Sequence, residues 1–136
     1  MDAYRNKEGY PDPTAGEALA RIQRQEQGYR PLVYICSPYS GDELGNTEKA
    51  KSYCRFAVDK GAIPFAPHLL FPLFMKEETE RELALFMGQV ILSRCDEIWV
   101  FGETLSSGMR DEIEKAKRKR MTIRCFDCAT KEEARA

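Results

Sequence analysis

From Pro31 onward the chain alternates between two hydrophobic periods. Leu32-Val-Tyr-Ile-Cys36 is an unbroken β-branched and aromatic run between Pro31 and Ser37-Pro38, which predicts a strand. After a loop over 37–45, Asn46 stands as an N-cap. Ala50, Tyr53, Cys54, Ala57 and Val58 follow at helical spacing, and Gly61 closes the helix. Ala62-Ile-Pro-Phe-Ala66 reads as a second short strand, placed at a sheet edge by its proline. Leu69 to Met75 is apolar around Pro72 and reads as a turn of helix. Thr79 and Glu82 have capping-box spacing. The stripe Leu83, Phe86, Met87, Val90 and Ile91 then predicts a helix ending near Arg94. Glu97-Ile-Trp-Val-Phe101 is the third strand. Met109, Ile113 and Ala116 mark one face of another helix, and Met121-Thr-Ile-Arg-Cys125 is the last strand, followed by a polar tail over 131–136. Strands alternating with helices predict a three-layer, flavodoxin- or Rossmann-like α/β fold with a mainly parallel sheet of four to five strands.

Residues 1–29 read differently. They are polar, with a Gln/Arg/Glu-rich stretch over 21–27. Ala18, Leu19 and Ile22 offer the only apolar stripe. This predicts an arm with a short helix near 14–27, lying on the surface or on a partner subunit, ahead of a domain over 30–136.

The length of 136 residues fits one domain. Twenty-one Lys and Arg balance 22 Asp and Glu, which argues against a non-specific nucleic-acid binder. The basic run over 115–120 reads as a helix end whose cations complement the dipole. No apolar run is long enough to span a bilayer, and no charged-then-apolar leader opens the sequence. The odd count of five cysteines points to a reducing, cytoplasmic compartment. Cys125 and Cys128 form a CxxC. They lie at the end of a strand with no second ligand pair, so they read as ordinary thiols and not as a metal site.

In a parallel sheet, ligands bind beyond the carboxyl ends of the strands. Three loops leave such ends: Ser37-Pro-Tyr-Ser-Gly41, Pro67-His68 and Gly102 to Gly108. The first and third are rich in hydroxyls and glycines, and the third opens a helix, a pattern suited to an anion or a sugar. Candidate binding residues are therefore Ser37, Tyr39, Ser40, His68, Ser106, Ser107, Gly108 and Met109. Arg81 and Glu82, opening the long helix, are further candidates. Glu112 falls beside Met109 and Ala116 on the helical wheel, early in its helix. A carboxylate there is expected to be held ionised by the dipole and suits a nucleophile better than a general acid. Tyr34 shares a sheet face with Cys36 and is placed to orient a carboxylate at the strand end.

Four stretches carry a resemblance: Val33-Tyr-Ile-Cys-Ser-Pro-Tyr39, Ile63-Pro-Phe-Ala-Pro-His68, Cys95-Asp-Glu-Ile-Trp-Val-Phe-Gly102 and Ser106-Ser-Gly-Met-Arg-Asp-Glu112. Together they resemble the nucleoside 2-deoxyribosyltransferase-like superfamily, which includes deoxynucleoside 5′-monophosphate N-glycosidases. The likeness is greatest to a small phage and bacterial branch. It implies a flavodoxin-like enzyme that cleaves or transfers the N-glycosidic bond of a nucleoside or nucleotide without a cofactor. Glu112 would attack C1′, Tyr34 would orient it, and Ser106 and Gly108 would hold a 5′-phosphate. It also implies a homodimer or larger homo-oligomer. Two family features are missing: Leu85 stands near the position of a second acid, and Tyr39-Ser40-Gly41 replace a phosphate-binding arginine. Two further readings stand beside this one. One is cleavage of the nicotinamide–ribose bond of NAD; the other is a nucleotide-binding sensor or accessory module without turnover.

Overall fold

The computed structural model describes residues 16–19 and 28–134. The chain divides into two units, Met1–Arg30 and Pro31–Ala136. Residues 16–19 of the first are helical, and the rest of the helix expected over 14–27 lies outside the described residues.

The second unit runs β1 (Leu32–Cys36), α1 (Glu43–Asp59), β2 (Ile63–Phe65), α2 (Pro67–Leu70), a 3₁₀ turn (Phe71–Leu73), α3 (Glu77–Leu92), β3 (Glu97–Phe101), α4 (Ser107–Arg118) and β4 (Thr122–Phe126). The four strands form one sheet, ordered β2-β1-β3-β4, with every pair parallel. The chain order reverses between β1 and β3, so the topological switch point lies between these two strands. Pro64 sits in edge strand β2, where its missing N–H breaks no ladder on the outer side.

The register fixes the two faces. Ile35 pairs with Trp99, while Tyr34 pairs with Ile98 and Cys36 with Val100. Val33, Ile35, Trp99, Phe101 and Phe126 pack with Tyr53 and Ala57 of α1 on one face. Tyr34, Cys36, Ile98 and Val100 pack with Leu92 of α3 and with Met109 and Ala116 of α4 on the other. The result is the expected three-layer α/β architecture.

Several element ends differ from the pattern-based reading. Helix α1 begins at Glu43, three residues before Asn46, capped by the Asp42 side chain, which accepts from Gly45 N at 3.1 Å. Asn46 instead donates to the Tyr39 carbonyl at 3.0 Å. Helix α3 starts before Thr79, and the Lys76 N–H donates to Glu80 Oε1 at 2.9 Å, so Glu82 is not the capping partner. The polar tail folds back onto edge strand β4: Phe126 bridges Glu133 antiparallel, and Arg124 pairs with Glu133 at 2.6 Å. That contact covers an otherwise open strand edge.

Asp96 precedes β3, at the end of the sheet away from the loops, and accepts from the Leu32 N–H at 2.8 Å. This bond ties the start of β1 to the start of β3. Asp96→Ala is expected to lower stability by about 0.5–1.5 kcal/mol, the net worth of a hydrogen bond whose donor water can reach. Urea denaturation checks this, and the asparagine variant should recover most of the loss.

Candidate active site

Tyr34 and Glu112 meet on the α3/α4 face beside the switch point. Tyr34 comes from the middle of β1 and is buried. Glu112 lies on the sixth residue of α4, one turn after Gly108, which turns it inward beside buried Met109 and Ala116. The Tyr34 hydroxyl donates to the Glu112 carboxylate.

Burial reverses the expected electrostatics of Glu112. Desolvation pushes its carboxyl up to about 7; the Tyr34 hydrogen bond pulls the other way, and the Asp111 charge adds to the rise. The helix dipole and a single donor do not offset the loss of water. Glu112 is thus poised between its neutral and ionised forms near neutrality. Desolvation, reinforced by Glu112, raises the Tyr34 phenol far above its ordinary value, so it remains a donor. Cys36 donates weakly to the Met109 carbonyl at 3.8 Å, and its thiol is pushed up by burial and by Glu112.

Gly88 is a site residue that sequence reasoning missed. It is buried in the middle of α3, and a Cβ there would stand 3.3 Å from the Tyr34 hydroxyl. Glycine in a helix interior costs about 1 kcal/mol relative to alanine. Here it lets α3 approach the phenol, and the isolated glycine inside a helical pattern was the available signal. Leu85 is half exposed, so it is Gly88 that α3 sets against the Tyr34–Glu112 pair.

The loop residues divide into two groups. Ser106 caps α4: its Oγ accepts from Met109 N at 3.2 Å. Ser107 and Gly108 open the helix, where backbone N–H groups lack an intrahelical acceptor. A Cβ built on Gly108 meets nothing within 4 Å, so space is open above it. Met109, expected among the binding residues, instead buries its side chain fully in the core.

At the β1 and β2 ends, His68 Nε2–H donates to the Ser37 carbonyl at 2.8 Å, and its ring stacks on Tyr39 at 4.9 Å and 14°. Burial lowers the His68 pKa, which keeps the ring neutral at pH 7. Ser37 is buried, and its hydroxyl has no hydrogen-bond partner among the described residues. Ser40 is exposed in the same loop. Arg81 and Glu82 do not join this group. Both are exposed on α3, and Arg81 pairs with Glu77 at 3.0 Å.

All five cysteines are free thiols. Cys125 shares a row with Val100 on the α4 side, whereas Cys128 lines a small crevice with Lys49 and Tyr53 of α1. Among the described residues no helix is long and apolar enough to cross a membrane.

No curated protein matches the chain. Residues 31–126 match the family described as Domain of unknown function (DUF7768), a span running from the start of β1 to the end of β4 and including Tyr34, Gly88 and Glu112. The chain belongs to that family.

Proposed function

We propose that the chain cleaves or transfers the N-glycosidic bond of a nucleoside or nucleoside 5′-monophosphate, with Glu112 as nucleophile. The observation that carries this reading is the Tyr34–Glu112 pair, its phenol buried and its carboxyl partly buried, at the switch point of a parallel sheet. One carboxylate oxygen is engaged by the Tyr34 hydroxyl, and the other is left to bond C1′. The base leaves with the C–N electron pair and takes a proton from water. A second water, or a second base, then displaces the glutamyl ester at C1′ and regenerates Glu112. Positive charge developing on the sugar favours the ionised carboxylate, which offsets its desolvation as the reaction proceeds.

The surrounding residues supply binding groups for such a substrate. Ser107 and Gly108 offer helix-start N–H groups to a 5′-phosphate, and the Ser106 hydroxyl keeps its own proton to donate. The Tyr39–His68 stack offers a flat surface for a base. The site chemistry needs no metal or organic cofactor. The five free thiols fit a reducing, cytoplasmic setting, and we infer a homo-oligomeric chain that binds neither nucleic acid nor membrane.

A second reading, a nucleotide-binding module without turnover, draws on one observation. Among the described residues Asp111 is the carboxylate whose charge acts on Glu112, and α3 contributes Gly88 where an acid would reach the pair. Base release separates the two. Wild type and Glu112→Ala are incubated with ribo- and deoxyribonucleosides, their 5′-monophosphates and NAD, and the products are resolved by chromatography. Base freed by wild type alone supports the glycosidase and names its substrate. No release, with thermal stabilisation of both proteins by one compound, supports the binding module.

A further inference from the structure

On the α1 side of the sheet, Tyr53 is only 2% exposed, and its ring stacks on Phe101 at 4.2 Å and 7°. Its hydroxyl has no hydrogen-bond partner among the described residues. A buried tyrosine ordinarily settles that oxygen on a protein group, and an unsettled one calls for an explanation. Tyr53 lines a crevice of about 70 Å³ at the carboxyl ends of β1 and β3, between Pro38 and Gly102. Asn46, Lys49 and Cys128 form its polar walls. Unlike the sealed Ser37 hydroxyl, the phenol oxygen keeps a surface on that space.

Size and charge select the ligand. At about 10–15 Å³ for each water-sized sphere, the crevice has room for about five to seven heavy atoms, which suits a four-oxygen anion and not a nucleoside. Lys49 is exposed and has no ion-pair partner among the described residues. The Lys131 ammonium lies 5.8 Å from the centroid of the Tyr53 ring. One carboxylate opposes them: Asp127 acts on the Tyr53 phenol, and its Oδ1 accepts from the Ala129 and Thr130 N–H groups at 2.8 Å. Glu48, beside Lys49 in the chain, is paired with Lys51 at 3.0 Å. Two ammonium groups against one carboxylate leave the crevice positive. Burial, followed by Cys128 and Asp127, holds the phenol above its ordinary value, so it stays protonated and able to donate. Asn46 spends its amide N–H groups on the Tyr39 and Ser40 carbonyls at 3.0 and 3.4 Å. Tyr53 and Lys49 are therefore the donors left for a ligand.

We propose that this crevice binds a phosphate group, free or carried by a nucleotide, through the Tyr53 hydroxyl and the Lys49 ammonium. It lies across the sheet from Glu112, so it is a second site and stands whether or not Glu112 is a nucleophile. Cys128 reports on it, because its thiol is exposed in the crevice wall, whereas the exposed thiol of Cys125 lies on the α4 side. Iodoacetamide attacks the thiolate, and a neighbouring oxyanion both covers the thiol and disfavours its ionisation. On the full chain, millimolar inorganic phosphate is expected to slow alkylation of Cys128 by at least about fivefold against chloride of equal ionic strength, with Cys125 unchanged. Fragment-ion mass spectrometry reads the two thiols separately. Lys49→Ala and Tyr53→Phe should each raise the phosphate concentration needed by about tenfold, the scale of one charge-assisted hydrogen bond. Since the hydroxyl has no partner to lose, Tyr53→Phe should melt with wild type in the absence of phosphate and below it in its presence. A damaged fold does not give that pair of results. Protection by inorganic phosphate marks a free anion as ligand; protection by nucleoside 5′-monophosphates alone marks the phosphate of a nucleotide. Equal slowing of Cys128 and Cys125, slowing that survives both substitutions, or no slowing by either compound overturns the site.

Discussion

Glu112→Gln is expected to abolish base release and, at the same time, to stabilise the folded chain near neutral pH. Glutamine keeps the size of the side chain and an oxygen for the Tyr34 hydroxyl, but it cannot form the glycosyl ester. Turnover should fall by at least about a thousandfold, the scale of losing a nucleophile. The stability gain follows from the raised carboxyl pKa, which moves from about 4.5 to about 7 through desolvation. An acid with a higher pKa in the folded state binds its proton more tightly there. Its folded state is therefore favoured most at low pH, and stability is lost as pH rises from about 4.5 through about 7. That loss is about 3 kcal/mol at most, and nearer 2 once residual exposure screens the charge. The glutamine variant escapes it. Denaturant midpoints of the two proteins should converge at pH 4 and separate at pH 8, with the variant higher. Equal midpoints at pH 8 would show a solvated Glu112 and remove the electrostatic basis of the site.

The same group sets the pH profile of wild type. If the ionised carboxylate attacks, kcat/KM should rise with pH and level off above an apparent pKa near 7. A profile that is flat from pH 5.5 to 8.5 would mean that the attacking group is already ionised across that range, and would exclude a desolvated Glu112.

The strands and the meeting of Tyr34 with Glu112 were legible because each depends on short-range pattern. The run Leu32 to Cys36 and the run Glu97 to Phe101 have only one way to bury themselves, in the middle of a parallel sheet. Tyr34 and Glu112 then followed from strand alternation and a helical wheel. Helix α3 was misread for a physical reason. The sequence offers Leu83, Phe86, Met87, Val90 and Ile91 as its core stripe, of which Ile91 packs against the core, yet the bulky rings of Tyr34 in β1 and Phe71 in the 3₁₀ turn already lie beneath Gly88. Only a small residue fits over those rings, so Gly88 turns inward there and Leu83, Phe86 and Val90 turn out. The ionisation of Glu112 was misjudged because position on a helix reports the dipole, whereas desolvation depends on what α3 and β1 place around the carboxyl. The return of the tail was invisible for a similar reason. The Arg124–Glu133 pair depends on a turn at Asp127, whose side chain accepts from Ala129 and Thr130 at 2.8 Å. No periodicity encodes it.

The second large effect lies on the opposite face of the sheet. Trp99→Ala is expected to cost about 3–5 kcal/mol and to lower Tm by roughly 15 °C. Trp99 is buried in β3, with its ring centroid 4.9 Å from that of Phe126 and the Arg124 guanidinium 4.9 Å above it. Its indole N–H donates to Glu97 Oε1 at 2.8 Å. Truncation empties that space, leaves Arg124 without its ring and removes one donor from Glu97. None of these groups touches the α3/α4 face, because neighbours along β3 point to opposite sides. The activity of the folded fraction and the pH at which it rises should therefore be unchanged at a temperature where the variant is still native. Thermal unfolding by circular dichroism measures the first effect, and pH-dependent base release measures the second. A shifted pH midpoint in Trp99→Ala would show that the α1 core positions Glu112 through the sheet, and that the two faces do not act separately.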